Sequence, residues 1–124
     1  MRGYSFYSVI EKESGDWVGR VGPWYPEGWM APEVGWTIHP AYTRKGYAKE
    51  AGAACVEYVF NTLGWQKVIH VIADGNIGSV KTAEAIGSIY QRSVDGIPAV
   101  TDMLCHIYGQ DVGSWRSGRD SNPR

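Results

Sequence analysis

"EVGWTIHPAYTRKGYAKEA", residues 33–51, contains the change of period that decides the architecture. Residues 33–39 read as a strand, and Pro40 closes it because proline has no N–H to give a ladder. From Gly46 the pattern turns helical: Tyr47, Ala51, Ala54, Cys55, Tyr58 and Thr62 fall on one face, and Gly64 stands where a helix-ending glycine belongs. The next segment, "KVIHVIA" at 67–73, is a nearly continuous apolar run, as in a strand buried on both faces. A strand, a helix and a second apolar strand in succession make a right-handed crossover between parallel neighbours.

Working outward, "YSFYSVIEK" and "WVGRVG" alternate like two strands and "ESGD" supplies a turn, so the N-terminal part is expected to be a hairpin. "PWYPEGWMAP", residues 23–32, has three prolines and a glycine and reads as a surface loop. After the crossover, "DGNIGSVKTAEAIGS" reads as a short helix with Asn76 as N-cap and Gly87 as terminator. "SIYQRSV" and "AVTDMLCHIYG" then alternate as a last antiparallel pair. The expected fold is α/β, a single domain over residues 1–110 with a mixed, mostly antiparallel sheet, a central splayed parallel pair and packed helices. Residues 111–124, ending in "SWRSGRDSNPR", are polar, basic and without period, and are expected to be a disordered tail.

Composition narrows the function classes. A chain of 124 residues with 44% hydrophobic content suits one compact domain. Twelve Lys and Arg against thirteen Asp and Glu leave a net charge of -1, so no global field favours nucleic acid or an anionic membrane. No apolar run is long enough for a membrane span and the first residues lack a signal-peptide core, which gives a cytoplasmic expectation. His39, His70 and His106 lack metal-ligand spacing, and Cys55 and Cys105 sit in apolar segments with no CxxC, so no metal is expected and both thiols are read as free and buried. Six Trp and eight Tyr mostly alternate within strands and read as packing residues.

"TRKGYAK", residues 43–49, lies where a strand of the parallel pair hands over to a helix, the usual place for a ligand in such sheets. The first-turn N–H groups have no intrahelical partners, Gly46 keeps the approach clear of a side chain, and Arg44 and Lys45 add positive charge. The physical reading is a pyrophosphate seat, set against an ordinary basic helix start.

Residues 33–51 followed by "NIGSVKTAEAIGS" resemble the GNAT superfamily of N-acetyltransferases, most of all the subgroup that acetylates ribosomal-protein N-termini and similar amines. The resemblance covers residues 5–108. The family's phosphate motif maps onto Thr43, Gly46 and Ala48, with Thr43 departing from the usual Gln or Arg. The second motif maps onto Asn76, Ser79 and Lys81. The resemblance implies that Arg44, Lys45, Gly46, Tyr47 and Ala48 hold the coenzyme A pyrophosphate, and that Trp36, Thr37, Ile38, Asn76, Ser79 and Lys81 complete the cofactor contacts. It also places a bulge in the strand at 33–39, with N–H groups of residues 35–38 aimed at the developing oxyanion.

By the same resemblance Glu33 is the general base. The chemistry requires one, since an ammonium with a pKa near 10 must lose a proton before its nitrogen attacks a thioester. The tyrosine that many relatives use to protonate the leaving thiolate has no counterpart between Asn76 and Gly87, so Ser79 is assigned as general acid, with Tyr90 as a weaker alternative.

The implied function is direct transfer of an acetyl group from acetyl-CoA to a primary amine, either an amine-bearing small molecule or a protein N-terminus, with no metal. Relatives usually begin with a strand and two helices not found here, so the chain reads as N-terminally shortened, with an exposed sheet edge that invites a homodimer. Two other readings stay open: a non-catalytic coenzyme A-binding module, and a cofactor-free interaction domain using the Trp-rich loop.

Overall fold

The structure, a computed structural model, describes residues 6–121. Six strands form one sheet in the order β1-β2-β3-β4-β6-β5, where β1 is Tyr7–Ile10, β2 Trp17–Trp24, β3 Glu33–Ile38, β4 Lys67–Ala73, β5 Ile89–Ile97 and β6 Thr101–Asp111. β3 and β4 are parallel, and the other adjacent pairs are antiparallel. This is the mixed sheet with a central parallel pair that the change of period implies. Helix α1 (Tyr47–Asn61) is the crossover, α2 (Ile77–Ala85) joins β4 to β5, and α3 (Val112–Ser121) follows β6.

The main core lies between α1 and the sheet. Cys55, Val56, Val59 and Phe60 of α1 pack with Val21, Val34 and Val68. The stripe read from sequence was therefore rotated. It caught Cys55 but not Val56, Val59 and Phe60, while Tyr47, Ala51, Ala54 and Tyr58 line a groove of about 680 Å³ between α1 and β1. Both faces of an alanine-rich helix are apolar enough to be buried, and the sheet takes the one with the bulkier side chains. A smaller cluster of Ala31, Ile69 and Ile107 covers the other face of the sheet. Both cysteines are free and buried.

Three expectations are corrected. Pro23 is inside β2 and fully buried, opposite Val34, rather than in a loop. On its other side, the described β1–β2 pairing reaches only as far as Tyr7–Val21. The β2–β3 register runs unbroken from Gly19–Ile38 to Trp24–Glu33, with no bulge near Gly35. The splay arises on the other edge of β3, which pairs with β4 at Glu33–Ile69 alone.

The third correction concerns the tail. β6 continues to Asp111, and residues 112–121 are helical where disorder was expected. Asp111 Oδ1 accepts the Ser114 N–H at 2.7 Å, the Val112 N–H donates to the Gln66 carbonyl at 2.9 Å, and the Trp115 ring sits 5.1 Å from that of Phe60. A single tryptophan that finds the core supplies what the polar composition lacks. Residues 122–124 of the expected tail, and Tyr4 and Ser5 of the expected first strand, lie outside the described residues. Trp115→Ala should lower unfolding stability by roughly 2 kcal/mol, because it removes a half-buried ring from the main core. Urea melts of the two chains measure this, and an unchanged midpoint would mean that α3 adds nothing to the domain.

Candidate active site

A cavity of about 560 Å³ opens between the C-terminal half of β3 and the first turns of α1 and α2. Trp36, Thr37 and Ile38 form its strand wall, Arg44, Gly46, Tyr47 and Ala48 its first helix start, and Asn76, Ser79 and Lys81 its second. Residues more than thirty positions apart thus meet in one place. Both helix starts have a local cause. At α1 the backbone is left-handed at Arg44 (φ 67) and Gly46 (φ 83), and Gly46 as N-cap makes no side-chain cap. At α2 the Asn76 Oδ1 accepts the Ser79 N–H at 3.2 Å. Two helix N-termini with their positive dipole ends, together with Arg44, Lys49 and Lys81, line the cavity, an arrangement suited to an anionic ligand.

Lys45 does not line the cavity; its Nζ lies 5.4 Å from the centre of the Tyr42 ring. Thr43, at the motif's departed position, lines the wall, but its Oγ1 donates to the Pro40 carbonyl at 3.1 Å. Other hydroxyls of the wall are also committed: Tyr42 donates to Asp16, Tyr47 to Glu11 and Thr82 to the Gly78 carbonyl. The bond to Glu11 pushes the Tyr47 phenol up to about 12. Tyr90, the weaker alternative for the acid, is outside the cavity on β5 and shares a 2.7 Å hydrogen bond with Ser93.

Glu33 does not line the cavity either. It opens β3, is only 8% exposed, and faces the side of the sheet away from α1. Its Oε1 accepts the Trp29 indole N–H at 3.0 Å and its Oε2 accepts the Val71 backbone N–H at 2.8 Å. Burial pushes the carboxyl up from 4.5 to about 7, and the two hydrogen bonds only partly offset this. Between pH 4.5 and about 7 the folded chain therefore holds a proton that the unfolded chain has released. Stability attributable to this group falls as pH rises through that window. A carboxylate that titrates near neutrality is poised to take a proton at neutral pH and give it up again.

The cavity wall and the carboxylate are linked by short contacts. The Trp36 ring lies 4.8 Å from the His70 ring, and His70 Nδ1 meets the Val34 carbonyl at 2.8 Å, next in sequence to Glu33. His70 is 2% exposed, and burial lowers it from 6.5 to about 4. It is neutral at physiological pH, so Nδ1 carries the proton donated to Val34 and Nε2 accepts from the Ser88 hydroxyl at 2.8 Å. Gln110 Nε2 donates to Ser88 Oγ at 2.9 Å and to the Ile86 carbonyl at 3.0 Å.

A family model described as an acetyltransferase (GNAT) domain matches residues 1–89. The chain belongs to the GNAT acetyltransferase family. YkkB of Bacillus subtilis, an uncharacterized protein, is 32% identical over 94 residues, which are 74% of this chain and 55% of that protein. A GNAT-family acetyltransferase from Bacillus anthracis superposes with a TM-score of 0.74 at 26% identity, covering 86% of this chain and 65% of its own. Ribosomal-protein-S5-alanine acetyltransferase from Vibrio fischeri has the same fold, with a TM-score of 0.74 at 16% identity over 89% and 62% of the two chains. This GNAT chain thus spans between 55% and 65% of the length of these relatives.

Some residues lining the cavity were missed from sequence. Tyr42, Lys49, Gly78 and Thr82 line it because they flank the motif positions at helical or turn spacing. Trp29 sat in a stretch read as loop, and nothing local to it signals a carboxylate partner. His70 carried a usable signal: it is the one ionisable side chain between Val68 and Ala73 of β4, and a buried ring nitrogen must find partners.

Proposed function

We propose that this chain binds acetyl-CoA in the cavity between β3, α1 and α2 and transfers the acetyl group to a primary amine approaching from the Glu33 side of the sheet. What supports this above all is that both motif segments converge on one cavity, while a carboxylate titrating near 7 is buried at the start of the same strand. The cavity fits the cofactor on its own chemistry, because its two helix starts, Arg44 and Lys81 complement phosphate charge, and Gly46 leaves open space where a Cβ would stand.

When bound, acetyl-CoA supplies an activated acetyl thioester. The first-turn N–H groups of α1, with Arg44, would hold the pyrophosphate, while Asn76 and Lys81 would orient the arm toward the gap between β3 and β4. Trp36, Thr37 and Ile38 would present backbone to that arm. Glu33 in its ionised form accepts the ammonium proton, directly or through water, freeing the nitrogen lone pair. With the Tyr42, Thr43, Tyr47 and Thr82 hydroxyls engaged, Thr37 and Ser79 are the wall's remaining alcohols, and Ser79 is assigned as the general acid: as the C–N bond forms and the C–S bond breaks, it would pass to the thiolate the proton that the attacking nitrogen sheds, and so end unchanged. The acceptor class is a primary amine on a small molecule or a protein N-terminus. A binding-only module is the second reading, favoured by the place of Glu33 outside the cavity wall.

Calorimetric titration with acetyl-CoA, with adenosine as control, tests the seat. Binding with a Kd on the order of micromolar that requires the pyrophosphate is expected. Release of free coenzyme A thiol on adding amines then separates the enzyme from the binding module. A folded sample indifferent to acetyl-CoA would overturn both readings.

A further inference from the structure

The parallel ladder between β3 and β4 stops after one rung, and the two backbone groups due to form the next bond are both capped by side chains. Pairing of Glu33 with Ile69 gives the rung in which the Ile69 N–H donates to the Pro32 carbonyl at 2.9 Å. In a regular parallel ladder the Val71 N–H would next donate to the Val34 carbonyl. Instead the Val71 N–H donates to Glu33 Oε2 at 2.8 Å, and the Val34 carbonyl accepts from His70 Nδ1 at 2.8 Å. The two caps are reciprocal, since Glu33 of β3 takes the β4 donor and His70 of β4 takes the β3 acceptor. They also act from opposite faces, because Glu33 and His70 are at odd and even positions of their pleats.

We propose that His70 is a positioning residue that keeps the β3–β4 gap open, by holding the Val34 carbonyl away from the Val71 N–H and so leaving that N–H to Glu33. The inference rests on the proposed function insofar as the gap is where the acetyl-bearing arm enters. Unmet backbone groups at the centre of a sheet pair with one another unless something else satisfies them, so an open seam needs a cap on each side. The imidazole is itself held. Ser88 fixes its Nε2, Gln110 fixes Ser88 and ties it to the end of α2 at Ile86, and the Trp36 ring lies against it. The same chain of contacts thus connects the gap, a wall of the cavity and the helix that carries Asn76, Ser79 and Lys81.

The polar and titratable groups facing Glu33 are the Trp29 indole, the Val71 amide and, from β6, the Cys105 thiol. That thiol is pushed up by its burial and then by the Glu33 charge, so it does not titrate near neutrality. Around His70 stand Trp36, Ser88 and Gln110, with Tyr108 as its pairing partner on β6.

The test follows the Val71 amide by ¹H–¹⁵N NMR over pH 5–9, together with acetyl-CoA titration. In the wild type the Val71 resonance should move with a midpoint at about 7, reporting Glu33. In His70→Leu the freed Val34 carbonyl recaptures the Val71 N–H. The resonance then stops following Glu33, and acetyl-CoA binds about tenfold more weakly or worse. His70→Gln, which keeps a donor for Val34, should restore both. If His70→Leu does not fold, Ser88→Ala takes its place and should weaken binding by about threefold while blunting the Val71 titration. Unchanged titration and affinity in the folded variant would overturn the inference. Loss of the Val71 titration in a chain whose wild type ignores acetyl-CoA would support the strut and overturn the cofactor reading instead.

Discussion

Glu33→Gln is expected to slow amine acetylation by about 100-fold or more while leaving acetyl-CoA affinity within about threefold, since general-base catalysis contributes on this scale. Gln is nearly isosteric but has one acceptor oxygen where Glu33 has two, and both Glu33 oxygens are in use, by Trp29 and Val71. One of those donors will face an amide NH₂, at a local cost of about 1–3 kcal/mol. Opposing this, the variant no longer has to keep a carboxylate in a site that raises its pKa from 4.5 to about 7. That relief is on the order of 3 kcal/mol above pH 7, so the melting temperature should change little.

The pH dependence separates a base from a merely structural carboxylate. In the wild type, kcat/KM should rise through about pH 7 as Glu33 ionises, and then level off. In Glu33→Gln the limb at pH 7 should vanish, leaving only the rise that belongs to the amine itself, near pH 8 for an N-terminus and near 10 for an alkylamine. Full activity of the variant across pH 6 to 9 would remove Glu33 from the reaction.

Gly46→Asp is expected to weaken acetyl-CoA binding by about 100-fold or more, because it places a carboxylate at the mouth of the pyrophosphate seat, where like-charge contact costs several kcal/mol. The fold should survive. A Cβ at Gly46 meets nothing within 4 Å, and Asp is among the residues that best cap a helix. The penalty is confined to the backbone, whose φ of 83° is strained for any residue with a side chain, by about 1–2 kcal/mol. Gly46→Ala is the control, as it carries the same strain without the charge and should retain most of the affinity. Equal losses in the Ala and Asp variants would assign the effect to loop distortion, and unaltered binding in both would move the phosphate elsewhere.

The legible parts of this protein were local. The period change at Gly46 gave β3 and α1, Asn76 and Gly87 gave the ends of α2, and "KVIHVIA" gave a strand buried on two faces, because backbone propensity, capping and side-chain alternation act over a few residues. The same locality explains the errors. The α1 stripe was misread because two faces of that helix are apolar and only the sheet chooses between them. Pro23 looked like a loop residue because proline is rare inside strands, and its place opposite Val34 is set by the pairing of β2 with β3. The last helix was invisible because Trp115 stabilises it against Phe60, more than fifty residues away in sequence.

The sequence by itself determined the order of elements from β1 to β6, the two helix starts and the residue types that converge on the cavity. It could place Lys45 beside a phosphate seat, but only the tertiary structure sets the Lys45 amine over the Tyr42 ring and outside the wall. Only the tertiary structure, likewise, makes Glu33 and His70 a pair. Whether a carboxylate titrates at 4.5 or about 7, and whether a histidine stays neutral, depends on which dipoles surround it and how much water is excluded. Those dipoles come from Val71, Trp29, Val34 and Ser88, brought together from four separate stretches of the chain by the folding of β3 against β4.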